Sequence, residues 1–309
     1  MRSGKADMFE SIESVEAALL SRNYIPDRSL ATALFLAWKL KKPLFLEGEP
    51  GVGKTETAAV MANALQTNLI RLQCYEGLDA NHALYEWNYP RQILAIKLGE
   101  ECGTDRGLLG KTIFTEEFLI KRPLLEAILS ANERAPVLLI DEVDRADEEF
   151  EALLLEALSD FQVSIPEIGT LKAVNRPVVI LTSNRTRDIH DALKRRCLYH
   201  WIDYPDPNKE REIIAARLPE ISEDLATQVA EFMSRVRRED FIKRPGVSES
   251  LDWASALLAL DRDSLDEEII EETLGCIFKH RDDLVHFRSL WDTGAFRNDI
   301  LNDVKASMC

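Results

Sequence analysis

The sequence of 309 residues predicts an α/β fold, a three-layer αβα domain followed by a smaller helical domain. Short apolar runs alternate with helical patterns between residues 43 and 203, which is the order of a parallel sheet with helices on both faces. The apolar runs are continuous, as expected of strands that are buried on both faces. After residue 207 only helical patterns follow, so we expect the sheet to end there.

The patterns place the elements in order along the chain. Residues 8–42 predict two helices, the second capped by Asp27, ahead of the first strand. The segment 161–175 predicts a β-hairpin, and 74–120 is a long interruption after the second strand. The predicted strands are 43–47, 68–73, 137–141, 177–184 and 199–203, and the predicted helices between them are 53–66, 121–132, 148–159 and 188–196.

The composition changes after Pro205 and Pro207, where Glu, Asp, Arg and Ala become frequent and no buried strand follows. We therefore predict an αβα domain over 1–206 and a helical domain over 207–285. The remaining residues, 286–309, are expected to form a C-terminal tail.

Charge and cysteine usage exclude several classes of protein. The net charge of −16 argues against a nucleic-acid duplex as the main partner, because binding to phosphates requires concentrated Lys and Arg. The five cysteines include no CxxC pair and the histidines are scattered, which disfavours disulfides and a metal held by protein ligands alone. Acidic residues replace the apolar core of a signal peptide, and no apolar run approaches the ~20 residues of a transmembrane helix.

A phosphate-binding loop is predicted directly after the first strand and before a helix. Its glycines let backbone N–H groups turn toward a β-phosphate, and the helix N-terminus favours negative charge. Lys54 is expected to contact the β- and γ-phosphate oxygens and Thr55 to hold Mg²⁺, so ATP and Mg²⁺ are the expected ligands. A plain glycine turn is the alternative. The residues that match G-x-x-x-x-G-K-[ST] are Gly48, Glu49, Pro50, Gly51, Val52, Gly53, Lys54 and Thr55.

Two carboxylates end the predicted strand 137–141, at the sheet edge that faces the phosphates. Asp141 is expected to bind Mg²⁺, directly or through water. Glu142, on the other side of the pleat, is placed to polarise an attacking water. The alternative is that both acids only cap the next helix.

Polar residues after the next strand complete the candidate site. Asn184 ends that strand, where its amide could hold the attacking water, although an Asn there also forms turns. Lys194, Arg195 and Arg196 end the following helix, where they either complement the helix dipole or supply an arginine finger to a neighbouring subunit.

With these marks in order, residues 25–280 resemble AAA+ ATPases and more closely the MoxR family. The segments 76–79, 83–89 and 251–254 are similar to the CoxD subgroup, which is associated with maturation of the molybdenum and copper site of carbon monoxide dehydrogenase.

The resemblance implies a five-stranded sheet, an insert within 74–120, a hairpin at 161–175, a helical lid and a hexameric ring. It implies that Lys54, Thr55, Asp141, Glu142 and Asn184 keep the roles given above. Arg196, with Arg195 as second choice, would be the finger. One departure concerns the lid arginine of many relatives, because the comparable position here is Glu249; Arg244 is a candidate replacement.

The function implied is an ATP-dependent remodelling chaperone that matures a client enzyme such as a molybdenum hydroxylase. Its implied partners are further copies of itself, the client and a von Willebrand A domain protein. A cytoplasmic location is expected, free or peripheral at the inner face of the membrane. A nucleotide-gated scaffold with negligible turnover is the alternative, and a DNA motor is disfavoured by the acidic charge.

The insert also contains three aromatic residues, Tyr85, Trp87 and Tyr89, spaced by two. This spacing fits one face of an extended segment that packs into the core. A contact with the client or with the pore of a ring is the open alternative.

Overall fold

A computed structural model of the chain describes residues 9–101, 113–130, 135–294 and 296–297. Helices α1 (Ile12–Leu20) and α2 (Arg28–Leu40) precede the first strand, as predicted. None of the helices in these ranges is long and apolar enough to cross a bilayer.

The central sheet has five strands, which confirms the α/β fold class. The strands are β1 (Leu44–Gly48), β2 (Leu69–Gln73), β5 (Val137–Asp141), β8 (Val178–Ser183) and β9 (Leu198–Ile202), in the spatial order β2-β5-β8-β1-β9. The pairs β2–β5, β5–β8 and β8–β1 are parallel. Strands β1, β5 and β8 are buried along their whole length because they lie inside the sheet.

The register of the sheet brings polar strand ends together. Gln73 lies opposite Asp141 on the neighbouring strand, and Glu47 lies opposite Ser183. Since the carboxyl ends of parallel strands share one edge, the residues that follow β5 and β8 emerge side by side.

Helices connect these strands. Helix α3 (Lys54–Leu65) follows β1 and α7 (Glu148–Asp160) follows β5. The predicted hairpin is confirmed as β6 (Gln162–Ile165) paired antiparallel with β7 (Gly169–Lys172).

The described part of the long interruption after β2 contains short elements. These are α4 (Ala80–Ala83), β3 (Tyr85–Trp87) and α5 (Tyr89–Glu101), and then β4 (Leu119–Lys121), which pairs antiparallel with β3. Residues 102–112, which also belong to the predicted insert, lie outside the described residues.

Two predicted helices were wrong in extent. The helix predicted at 121–132 is α6 (Pro123–Leu129); it begins later because Lys121 belongs to β4 and Pro123 sets the first helical turn. The helix predicted at 188–196 is only the turn α8 (Asp191–Lys194). The backbone before it instead bonds to a buried carboxylate, since the His190 N–H donates to Glu151 at 2.8 Å.

Five helices follow β9 among the residues that the structure describes. They are α9 (Pro207–Arg217), α10 (Glu223–Val236), α11 (Val247–Ala259), α12 (Glu267–Ile277) and α13 (Arg281–Asp292). Their apolar faces form a core that includes Phe232, Trp253 and Phe287.

The chain divides into two compact units that alternate along the sequence. One comprises the described residues within 1–15, 28–47 and 55–201, and the other comprises the described residues within 16–27, 48–54 and 202–309. Helix α13 runs through residue 285, where a tail was expected to follow. The bounds 1–206, 207–285 and 286–309 stay a prediction.

Candidate nucleotide-binding and catalytic site

The nucleotide loop, Gly48–Thr55, has a backbone that requires glycine at two positions. Gly51 and Gly53 have φ angles of +78° and +93°, which other residues adopt only with strain. The Lys54 ammonium is buried beside the loop and donates to the carbonyl oxygens of Gly48 at 2.7 Å and Glu49 at 2.6 Å. These contacts hold the lysine over the backbone where a phosphate group would bind.

Gly48 is fixed by close packing. A Cβ atom at this position would lie 2.3 Å from the Ile202 carbonyl oxygen, a backbone atom with little freedom to move. We expect Gly48→Ala to lower the free energy of unfolding by about 2–3 kcal/mol. The control is Gly275→Ala in α12, where a Cβ meets nothing within 4 Å and the helix gains about 0.5–1 kcal/mol. Chemical denaturation measures both, and equal shifts would contradict the packing argument.

Asp141 is a buried carboxylate with three partners. The hydroxyls of Thr55 and Thr182 donate to its Oδ1 at 3.0 and 2.6 Å. The Arg71 guanidinium on β2 contacts its Oδ2 at 2.5 Å. One ion pair and two hydroxyl contacts therefore hold this side chain in place inside the sheet edge.

The oxygen atoms of Thr55 and Asp141 fit a Mg²⁺ ion. Two neighbouring oxygen ligands of octahedral Mg²⁺ lie about 2.9 Å apart, given metal–oxygen distances near 2.05 Å. The 3.0 Å separation of Thr55 Oγ1 and Asp141 Oδ1 agrees with that spacing. Both atoms are hard oxygen donors, which is the chemistry that Mg²⁺ prefers.

Glu142 occupies a strained backbone position directly after β5. Its φ and ψ are 55° and 51°, in the left-handed region, and its N–H donates to the Thr182 hydroxyl at 2.9 Å. The carboxylate accepts from the Gln73 amide at 3.0 Å and the Asn184 amide at 3.2 Å, and pairs with Arg145 at 3.0 Å. Strain held in place by four contacts is typical of a functional residue.

Asp144 organises the loop that follows β8. Its carboxylate accepts hydrogen bonds from the N–H of Asn184 and from the N–H and hydroxyl of Thr186. Burial alone would raise the pKa of the Asp144 carboxyl, but the hydrogen bonds from Thr186 and Asn184 outweigh it and hold the pKa below its ordinary value. The loop therefore keeps Asn184 beside Glu142.

We expect Asp144→Asn to lower the free energy of unfolding by about 1–3 kcal/mol at neutral pH. A lowered pKa stabilises the fold above the unfolded-state value near 3.9 and loses this effect as pH falls through the folded-state value. The difference from wild type should thus shrink below about pH 4. Urea titrations at several pH values test this, with Asp188→Asn at an exposed position as the control. A difference that is constant with pH would contradict it.

A family model for the AAA domain of the dynein-related subfamily matches residues 43–197, just over half of the chain. The chain belongs to this AAA family. The match spans the sheet from β1 to the end of α8, including the nucleotide loop, Asp141, Glu142 and Asn184.

Relatives and solved structures are similar to this AAA protein. RuvB of Thermotoga maritima and of Thermotoga petrophila, a Holliday junction branch migration complex subunit, is 25% identical over 202 residues, which is 62% of this chain and 48% of the relative. The chain thus spans about half the length of the curated relatives it matches. The solved T. maritima RuvB motor gives a TM-score of 0.43 at 21% identity, over 80% of this chain and 67% of that chain. The solved structure of a candidate ATPase of Cytophaga hutchinsonii gives a TM-score of 0.48 at 16% identity, over 95% of this chain and 93% of that chain.

The two finger candidates of this AAA protein differ in their surroundings. Both are exposed and follow α8. Arg196 donates to the Leu155 carbonyl oxygen and the Ser159 hydroxyl on α7. The Arg195 side chain has no hydrogen bond or ion pair within the described part of the chain. The finger role stays a prediction for either residue.

The first turn of α11 contains Glu249, which stands at the position where many relatives carry a lid arginine. Glu249 instead caps the helix, since its Oε2 accepts from the Gly246 N–H at 2.8 Å and the Ser248 hydroxyl at 3.0 Å. Arg244 is exposed, and its carbonyl oxygen accepts from the Tyr204 hydroxyl at 3.5 Å.

Sequence reasoning missed three residues that contact the site. Arg71 and Gln73 were read only as part of a strand, although their place at the end of β2 signals proximity to β5. Thr182 was only one position within the predicted strand 177–184, yet its hydroxyl links Asp141 to the Glu142 backbone.

Proposed function

We propose that this AAA protein is an ATP-hydrolysing enzyme of the AAA+ kind that uses nucleotide turnover to remodel a protein client. The observation that supports this best is the placement of Glu142. Its carboxylate is held by Gln73 and Asn184, one residue after a buried Asp141 that contacts Thr55 of the nucleotide loop. A water activated by Glu142 would attack the γ-phosphate of ATP bound to that loop.

Each residue has a defined part in this proposal. Lys54 binds the β- and γ-phosphates, and Thr55 and Asp141 hold Mg²⁺, which neutralises phosphate charge when it is bound. Glu142 accepts the proton of the attacking water, and Asn184 orients that water. Arg196 or Arg195 of a neighbouring subunit contacts the γ-phosphate in the transition state.

The finer assignment rests on the resemblance to the MoxR family and its CoxD subgroup. It proposes a hexameric ring whose client is a molybdenum hydroxylase of the carbon monoxide dehydrogenase type, assisted by a von Willebrand A domain protein. The proposed location is the cytoplasm, free or peripheral at the inner face of the membrane. The test is co-expression with such a client, with the metal content of the purified client measured in the presence and absence of this chain.

The aromatic residues of the insert divide between the two roles considered for them. Trp87 is 8% exposed and belongs to the hydrophobic core, and its ring also contacts the exposed Phe114, with ring centroids 5.2 Å apart. Tyr89, at the start of α5, is 59% exposed and lies on a helix whose Ile93 and Leu94 are also exposed. Of these aromatic residues, we propose Tyr89 for the client contact, and Tyr89→Ala would then lower client-stimulated turnover while basal turnover stays unchanged.

A nucleotide-gated scaffold is the second candidate, and two observations favour it. Glu249 stands at the position where many relatives carry a lid arginine, and Arg71 contacts an oxygen of Asp141. In a scaffold, Glu142→Gln would still activate the client. Loss of client activation by this variant, with ATP binding retained, would support the enzyme instead.

A DNA motor would share the same sequence motifs, and the names of the RuvB relatives also suggest it. The net charge of −16 argues against it, since phosphate contacts require clustered cations. Salt-sensitive binding of a DNA duplex at physiological ionic strength would revive this candidate.

A further inference from the structure

A buried ion pair lies among the helices that follow β9. The guanidinium of Arg237, the C-cap residue directly after α10, makes a two-pronged contact with the Glu210 carboxylate on α9, at 2.6 and 2.7 Å. The two side chains are 6% and 0% exposed. The hydroxyl of Ser250 on α11 also contacts both groups. A buried ion pair often adds little net stability, because burying the two charges is costly. We therefore ask which groups this pair holds in position.

The cluster of Arg237, Glu210 and Ser250 also binds the backbone of the segment between α10 and α11. Arg237 donates through Nε to the Pro245 carbonyl oxygen at 2.7 Å, and Ser250 donates to the Gly246 carbonyl oxygen at 3.2 Å. The guanidinium also lies over the ring of Tyr204, 4.9 Å from its centroid. Two consecutive carbonyl groups of this segment are therefore tied to one buried arginine and its partner serine.

A second anchor holds the earlier part of this segment. The buried Asp283 carboxylate on α13 accepts from the N–H groups of Ile242 at 2.8 Å and Lys243 at 3.2 Å. The segment 242–246 is thus fixed at both ends by charged side chains from the helical core.

This segment ends directly on the nucleotide loop. The N–H groups of Val247 and Ser248, at the start of α11, lie 3.0 and 3.3 Å from the Gly51 carbonyl oxygen and donate to it. The backbones are so close that a Cβ on Gly246 would lie 2.7 Å from the Pro50 carbonyl oxygen. The direction of the Gly51 carbonyl is therefore set by the helix start.

We propose that Arg237 is a positioning residue for the nucleotide loop, acting through Pro245, Ser250 and the N-terminus of α11. By fixing the Gly51 carbonyl, this cluster fixes the peptide plane between Gly51 and Val52. The N–H of Val52 belongs to that plane, so the arginine holds it in the orientation that a phosphate requires. This inference rests on the proposed function, because it takes the loop as the ATP site.

Two variants test the positioning role without removing the loop itself. Arg237→Lys keeps the charge and loses the two-pronged contact, and Ser250→Ala loses the hydroxyl that reaches Gly246. The serine variant keeps the test valid if the arginine variant fails to fold. The matched control is Arg288→Lys, since Arg288 pairs with Glu271 at 2.6 Å on the exposed surface of the same unit.

The readout is hydrogen exchange of the Val247 and Ser248 amides in the full chain, with circular dichroism as the check on folding. We expect these amides to exchange about tenfold faster in both variants than in wild type, and to exchange at the wild-type rate in the control. Unchanged exchange at these amides in the folded variants would overturn the proposal.

Binding of a fluorescent ATP analogue separates this proposal from the proposed function. We expect Kd to rise about tenfold in Arg237→Lys and Ser250→Ala. If exchange is faster in both variants but the wild type does not bind the analogue, the positioning role would stand and the ATP site would be contradicted. If the wild type binds the analogue and exchange is unchanged in both variants, the ATP site would stand and the positioning role would be overturned.

Discussion

Replacing Glu142 with Gln is expected to lower kcat for ATP hydrolysis about 100- to 1,000-fold. The amide keeps the size of the side chain but cannot accept the proton of the attacking water. ATP binding should be retained, because the contacts of Glu142 go to Gln73, Asn184 and Arg145 rather than to the nucleotide loop. Steady-state phosphate release and equilibrium binding of ATP measure the two effects separately.

The matched control for this change is Glu148→Gln, at an exposed position in the first turn of α7. It removes the same charge from the same region, and kcat should stay within about twofold of wild type. If both variants hydrolysed ATP at the wild-type rate, Glu142 would not be the base.

Replacing Lys54 with Ala is expected to weaken ATP binding at least about 100-fold, or about 3 kcal/mol. The ammonium is buried and preorganised by the carbonyl oxygens of Gly48 and Glu49, so it reaches a phosphate at little entropic cost. The fold should survive, since the alanine leaves the glycine backbone of the loop unchanged. Calorimetric titration with ATP and Mg²⁺ measures the affinity.

Lys42→Ala is the control for the lysine variant, because Lys42 is exposed just before β1. Its affinity for ATP should equal that of wild type. An equal loss in both variants would point to a general electrostatic effect on this acidic protein, and no loss in either would remove Lys54 from the site.

The positions of the strands along the chain were predictable, because strands buried on both faces of a parallel sheet are continuous apolar runs. VLLID at 137–141 matches β5 in both ends. The α8 turn was predicted too long because its neighbours look helical in composition, whereas their backbone groups bond to Asp144 and Glu151, which lie far away in the sequence. Such long-range contacts leave no local pattern.

The residues of the candidate site that belong to a sequence motif could be predicted. The residues that contact them from neighbouring strands or helices could not. Lys54 was predicted from the spacing of the loop motif, and Asp141 and Glu142 were predicted from their place at the end of an apolar strand. Arg71 became visible only through the register that sets Gln73 opposite Asp141. Arg237 gave no signal, because a basic residue near a helix end is normally solvated, yet here Glu210 and Ser250 enclose it.

We propose that this AAA protein hydrolyses ATP at Glu142 with an arginine supplied by a neighbouring copy. The most direct test of this proposal is ATP turnover per subunit as a function of protein concentration, with particle size followed by light scattering in the same samples. We expect turnover per subunit to rise as particles assemble and to be about 100- to 1,000-fold lower in Glu142→Gln at every concentration. Turnover per subunit that is flat across assembly, or absent in wild type that binds ATP, would contradict it.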